Sequence, residues 1–340
     1  MPNRGFIAAT VVVLELLTSG CVTRQHTTEA AQAPTTVPLS ELAGLTLQVG
    51  DQKGGTESLL RAAGALDDVP YKVMFSTFTS GPPQVEAATA GKIDFAITGN
   101  TPPIFGAASD AKIKVVSAYD GGGTGDQILV RADSRITSAA DLRGTSIAVA
   151  KGSSAHGNVL GQLEKAGLRP SDVHLVFLQP ADALSAFTSR QADAWAIWDP
   201  YTAVAAQQVP VRSIAEAKGV TNGYGFGIAS NQALADPKRN TALADLLVRF
   251  DKAARWAQAH PQEWAESYAA AVGLDLQVAA VSQGRSLRLP TELNDAVVAS
   301  EQRLADLLAA AGQVRSSPKF ADWVDRRYTD AVRPYLISTN

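Results

Sequence analysis

Two stretches decide how this chain folds: Ala148-Val-Ala-Lys-Gly-Ser-Ser-Ala-His156 and Asp193-Ala-Trp-Ala-Ile-Trp-Asp-Pro-Tyr201. The first reads as the end of an apolar strand, a Gly-Ser-Ser turn and the opening of a helix whose leading amides lack partners. Free N–H groups and the positive pole of the helix dipole coincide there, so such an end attracts anions. The second closes a short strand with two indoles, a carboxylate and a turn-forming proline. Together they predict a pocket for a small molecule with one anionic end and one less polar end.

Outward from these stretches, strand and helix patterns alternate from residue 45 onward. Short apolar or period-two runs stand at 45–49, 71–75, 93–97, 113–118 and 127–131, with helical stretches at 56–65 and 84–90. A second set of strands follows at 146–150, 173–178 and 194–197, interleaved with helices at 156–166, stopped by Gly167, and at 181–191. Such alternation predicts parallel α/β sheets. After a strand near 225–229 the pattern predicts helices only. Leu243, Leu246, Leu247, Phe250 and Ala254 recur at helical spacing, and Pro290-Thr291 reads as the start of a helix that Gly312 stops.

At 340 residues the chain is long enough for two domains, and its net charge of −3 offers no basic surface for nucleic acid. The sole cysteine, Cys21, follows Arg4, an apolar run over 6–17 that contains Glu15, and Thr18-Ser19-Gly20. That is the layout of a secretory signal, residues 1–21, and the run is shorter than the ~20 residues that span a bilayer. A cysteine at the cut resembles a bacterial lipoprotein signal, which would place an acylated Cys21 at the outer face of the cytoplasmic membrane. The alternative is an ordinary cleaved signal beside an incidental cysteine. Residues 22–42 begin rich in Thr, Ala, Gln and Pro, and read as a flexible tether.

The candidate site residues lie in loops that follow strands, where ligands of open α/β sheets bind. Gln52 follows the first strand, Ser80 and Gly81 the second, Thr98, Gly99 and Asn100 the third, and Ser153 and Ser154 a later one. They supply hydroxyls, amides and bare backbone N–H groups rather than Arg or Lys, which suits a singly charged, weakly basic anion. His156 is either a donor to that anion or a capping residue. Trp195 and Trp198, three apart on a strand, point to opposite faces, and Trp195 is expected in the cleft with Trp198 in the core. Asp199 serves either a ligand amine or its own loop. Gly121-Gly-Gly-Thr-Gly125 lacks the Lys-Ser/Thr of a phosphate loop and reads as a mobile rim. No histidines are spaced as metal ligands, so neither a metal nor another cofactor is expected.

Gln52-Lys-Gly54, Ser80-Gly-Pro-Pro83, Gly91-Lys-Ile-Asp-Phe95, Thr98-Gly-Asn-Thr-Pro-Pro-Ile-Phe105 and Asp251-Lys-Ala-Ala-Arg-Trp-Ala257 join the two opening stretches in carrying a resemblance. Over roughly residues 45–328 the chain resembles the periplasmic aliphatic sulfonate-binding proteins of ABC importers, within the group that also handles taurine and nitrate. The resemblance implies an α/β, bilobed type II binding-protein fold with a cleft and a C-terminal helical tail. Lobe 1 would comprise 43–131 and 226–335, lobe 2 would comprise 132–225, and the chain would cross near 130–133 and 224–227. It implies capture of an organosulfonate without chemistry, for delivery to a permease and ATPase on other chains. Taurine, nitrate or a thiamin-precursor pyrimidine are the alternative ligands. An enzyme of the same fold is the remote alternative, since a desulfinase of this shape uses a cysteine nucleophile and none lies beyond Cys21. The family commonly carries Asp where this chain has Asn100.

Overall fold

The computed structural model describes Met1 and residues 36–337. The signal-like segment, Cys21 and the stretch expected as a tether, as far as residue 35, lie outside the described residues, apart from Met1. The expected tether bounds overlap ordered structure, since Leu39–Leu42 is a 3-10 turn whose Leu42 is fully buried.

Strands and helices alternate through β1 (Thr46–Gln52), α1 (Gly55–Ala62), β2 (Lys72–Phe78), α2 (Gly81–Thr89), β3 (Phe95–Gly99), α3 (Thr101–Ala108) and β4 (Ile113–Asp120). A second series runs through β5 (Asp126–Arg131), β6 (Ser146–Val149), α4 (Ser154–Lys165), β7 (His174–Phe177), α5 (Pro180–Thr188), β8 (Ala194–Trp198), α6 (Tyr201–Gln208) and β9 (Val211–Glu216). The chain then returns as β10 (Tyr224–Ser230), α7 (Asn231–Ala235), α8 (Pro237–Ala259), α9 (Pro261–Val272), α10 (Leu276–Arg285), β11 (Leu289–Thr291), α11 (Asp295–Ala310) and α12 (Thr329–Val332).

These elements form two sheets, ordered β11-β4-β10-β3-β1-β2 and β7-β6-β8-β5-β9. Each has the same plan. Three parallel strands lie side by side, and a strand delivered by the crossing from the other lobe runs antiparallel beside the third. The tail is not helical throughout, because Leu289–Thr291 pairs with β4 as an edge strand. The helix expected to open at Pro290-Thr291 opens instead at Asp295, where the Asn294 side chain accepts the amide of Val297.

The crossings fall elsewhere than expected. β5 pairs with β8 and β9, so the first crossing is residues 121–125 rather than 130–133. β10 already pairs with β3 and β4 from its first residues, so the second is residues 217–223 rather than 224–227. The Gly-rich stretch expected as a mobile rim is therefore one of the two connections, and the Gly121 amide donates to the Gly223 carbonyl on the other at 3.0 Å. Gly223 has φ +70°, and a Cβ there would stand 3.0 Å from the Gly123 backbone, so only glycine lets the crossings touch.

The core follows from the apolar patterns. Leu47 and Val49 of β1 cluster with Leu243, Leu246, Leu247 and Phe250, one face of α8. Each such side chain contributes about 1.5–3 kcal/mol by leaving water. Leu160 of α4 joins Leu304 and Leu308 of α11 in the neighbouring cluster, so a helix of the second series is packed into the core of the first. Among the described residues no helix is long and apolar enough to cross a membrane.

Candidate functional site

Between the sheets lies a cavity of about 190 Å³, walled by the loops at the carboxyl ends of β1, β2, β3, β6 and β8 and by both crossings. Four helices begin on its wall: α1 at Gly55, α2 at Gly81, α4 at Ser154 and α6 at Tyr201. Their positive poles converge there.

Of the residues picked from sequence, the structure brings Gln52, Gly81, Thr98, Gly99, Ser153, Ser154 and Asp199 together around this cavity. The Gln52 amide meets the side chain of Gln84 at 2.8 Å and the Ile97 carbonyl at 3.3 Å, which aligns it along the floor. The Ser153 hydroxyl caps α4 and donates to the Ala150 carbonyl at 2.7 Å. The Ser154 hydroxyl donates to Asp126 Oδ1 at 3.0 Å.

Four of the picks lie elsewhere. Trp195 is fully buried against Phe187 in the second lobe, while Trp198 lines the cavity, the reverse of the expectation. His156 is buried beside Phe105 and Phe177 and away from the cavity lining. Its Nδ1 accepts the Gly152 amide at 3.2 Å. Burial, helped by the charge of Lys151, pushes its pKa down to about 4, so it is neutral at physiological pH. Asn100 faces the second crossing, where Nδ2 donates to Thr221 Oγ1 at 3.3 Å and to Asn222 Oδ1 at 2.9 Å. Its lack of charge therefore bears on that connection rather than on the ligand. The hydroxyl of Ser80 is buried and donates to Gln179 Oε1 at 3.1 Å across the lobes, leaving Thr79 and Gly81 as that loop's cavity residues.

Sequence reasoning missed the arginines of the cavity. Arg285 grips Asp199 through both carboxylate oxygens, at 2.8 and 3.0 Å, and reaches Thr202 Oγ1 at 2.9 Å. That pair bridges the tail and the second lobe, and it gives Asp199 a partner within the protein. Burial acts to raise the Asp199 pKa, against the opposing bonds from Thr202 and Arg285.

Arg288 differs. Its guanidinium donates to Gln283 Oε1 at 3.1 Å and the Ser286 carbonyl at 3.2 Å, and among the described residues no carboxylate lies in salt-bridge reach. Nη2 stands 3.0 Å from where a Gly55 side chain would begin, over the start of α1. Desolvation lowers the Arg288 pKa, against the opposing charge of Asp51, yet a guanidinium remains charged, so a cation with no direct ion pair stands beside a helix start.

Two α/β lobes joined by two crossings around a polar cavity are the architecture of a bilobed ligand-binding protein. The family model described as "NMT1/THI5 like" matches residues 79–264. A relative from Escherichia coli (strain K12), named for binding aliphatic sulfonates, is 33% identical over 77% of this chain and 82% of its own length. Among solved structures, the alkanesulfonate-binding protein SsuA from Xanthomonas axonopodis pv. citri, bound to MOPS, superposes with a TM-score of 0.77 at 28% identity. That match covers 84% of this chain and 99% of the other. The periplasmic aliphatic sulphonate binding protein SsuA from Escherichia coli superposes with a TM-score of 0.73 at 30% identity, over 83% and 92%. The desulfurization enzyme DSZB shares the fold alone, at 17% identity and a TM-score of 0.61 over 85% and 99%. The chain belongs to the NMT1/THI5-like family, among the SsuA-like substrate-binding proteins of sulfonate ABC importers.

Proposed function

We propose that this protein captures an aliphatic sulfonate in the interlobe cavity and delivers it to a membrane permease driven by an ATPase on other chains. The observation that carries this reading is Arg288, a cation with no carboxylate in salt-bridge reach among the described residues, set beside helix starts and neutral donors. A sulfonate has three weakly basic oxygens and a single charge. One guanidinium balances the charge, while the amides of Gly55, Gly81 and Ser154 and the Gln52 and serine groups supply directed hydrogen bonds. No catalytic role is proposed. Secretion, with acylation of Cys21 holding the protein at the outer face of the cytoplasmic membrane, completes the reading and rests on the signal-like segment alone.

Thermal unfolding against a panel of alkanesulfonates, carboxylates, phosphate and nitrate tests it. A ligand at 100 times its dissociation constant stabilises by about 2.7 kcal/mol, which raises the melting temperature of a chain of this size by roughly 2–4 °C. Alkanesulfonates should give this shift. Arg288→Gln should lose roughly ten- to hundredfold in affinity, the worth of a charge-assisted hydrogen bond of about 1.5–3 kcal/mol. A shift with nitrate, phosphate or carboxylates alone would overturn the assignment.

A further inference from the structure

The charges on the cavity wall nearly cancel. Lys53, Arg285 and Arg288 line it as cations and Asp126 and Asp199 as carboxylates, which leaves a single positive charge. Arg285 and Asp199 satisfy each other. Asp51, off the lining, draws on Arg288 from behind while it caps α1 through the Thr56 amide at 2.7 Å. Asp126 is therefore the carboxylate on the wall that no cation answers. Among the described residues none lies within salt-bridge reach of it, and its side chain accepts only the Ser154 hydroxyl, at 3.0 Å.

That position is unfavourable for an anion site. Asp126 is the first residue of β5, and Ser154 is the first residue of α4. An anion held by the leading amides of α4 therefore lies close against the Asp126 carboxylate. The carboxylate is not needed to cap the helix, because the Ser153 side chain already accepts the His156 amide. Its effect on a guest is repulsion, and Coulomb energy scales with the guest's charge. A guest with two negative charges is opposed twice as strongly as a guest with one, and the wall has no further unengaged positive charge to offset the second.

We infer that Asp126 is a specificity-determining residue of this cavity, limiting the guest to one negative charge and excluding doubly charged tetrahedral head groups of the same shape. The inference rests on the sulfonate reading above and adds the feature that separates a sulfonate from a phosphonate dianion. Burial, opposed by the Ser154 bond and aided by Asp199, pushes the Asp126 carboxyl up to about 7. At pH 9 it is ionised, and an alkylphosphonate is chiefly doubly charged.

Calorimetry at pH 9 with ethanesulfonate and ethylphosphonate, matched in shape and differing in charge, tests this. Wild type should bind ethanesulfonate at least about tenfold tighter, the effect of one charged interaction of about 1.4 kcal/mol. Asp126→Asn keeps an oxygen for the Ser154 hydroxyl and removes the charge. Both ligands should then bind more tightly, and the factor gained by the phosphonate should be about the square of that gained by the sulfonate. Equal binding of the two by wild type, or equal factors gained in Asp126→Asn, would overturn the inference and leave the sulfonate reading standing. Failure of wild type to bind ethanesulfonate while it binds ethylphosphonate would overturn both. Asp126→Ser, which removes the same charge with a smaller side chain, gives the same comparison where Asp126→Asn folds poorly.

Discussion

At the scale of single residues, His156 shows how position in a motif and function can part. It stands at a helix start in the most distinctive loop of the chain, yet it serves the core. Its imidazole titrates near ~6.5 in an unfolded chain and about 4 when folded. The folded state therefore binds fewer protons between those values. The stability from keeping it neutral is complete above pH 6.5, drains away as pH falls toward 4, and is flat below. Its size is about 3 kcal/mol at ~1.36 kcal/mol per unit. Asp126 and Asp251, both pushed up to about 7 chiefly by burial, act in the opposite sense, becoming less unfavourable as pH falls below 7. Urea unfolding of wild type and His156→Gln between pH 7 and 4 separates these effects. The difference between the two proteins should shrink as pH falls; a constant difference would show that the imidazole is not held neutral by burial.

The loops Gln52, Gly81, Thr98-Gly99 and Ser153-Ser154 were legible because a polar loop after a strand announces itself locally. Arg288 was not, since it belongs to the tail and only the fold brings it beside the cavity loops of residues 52–201. The two tryptophans show a subtler limit. Their spacing correctly assigns opposite faces, but it does not say which face is which. Trp198 is the last residue of β8, nearest the carboxyl end where ligands sit, and that proximity was the usable signal.

At the scale of elements, the α/β alternation was readable, and Gly167 and Gly312 both sit at positive φ just beyond α4 and α11. Two features were hidden. β11 is three residues long and contains proline, too short for a period to show. β5 reads as a strand, but no local pattern says which sheet receives it, and this displaced the first crossing. The second crossing is held by a polar relay. Asn222 donates to Glu301 Oε2 of α11 at 2.5 Å, while its Oδ1 accepts from Asn100 and from the Tyr224 amide. Glu301 is fully buried, and that burial drives its pKa well above the ordinary range. Asn222→Ala strands Glu301 and takes from Asn100 the shorter of its two donor contacts, and should cost about 1–3 kcal/mol in denaturant unfolding. Adding Glu301→Leu should recover part of the loss, because the stranded group is then gone. Additive losses would show that the two side chains do not act as a pair.

At the scale of the molecule, the strand pattern alone predicted two α/β units, and the division into lobes around a cleft came from the family resemblance. Strand pairing now supplies the reason for it: each sheet admits one strand from beyond a crossing, and this ties the lobes twice at one side of the cavity. Elsewhere the lobes meet through side chains. Thr79 Oγ1 donates to Gln179 Oε1 at 2.8 Å, and Arg285 spans to Asp199.

Gly99 adds a contact of another kind. A Cβ there would lie 2.8 Å from Ser154 Cβ, so the lobes abut at a point with no slack. A longer guest cannot be housed by a slightly wider gap without breaking that abutment and loosening both bridges beside it. Selection by length then becomes a matter of residence time. Short and long alkanesulfonates should enter the open cleft at similar rates, whereas the long ones should leave sooner. Stopped-flow tryptophan fluorescence along a chain-length series, with Trp198→Phe as the control for the cavity signal, would show constant association and rising dissociation rates. Slower association of the longer members would mean that the entrance, rather than the seal, measures the guest.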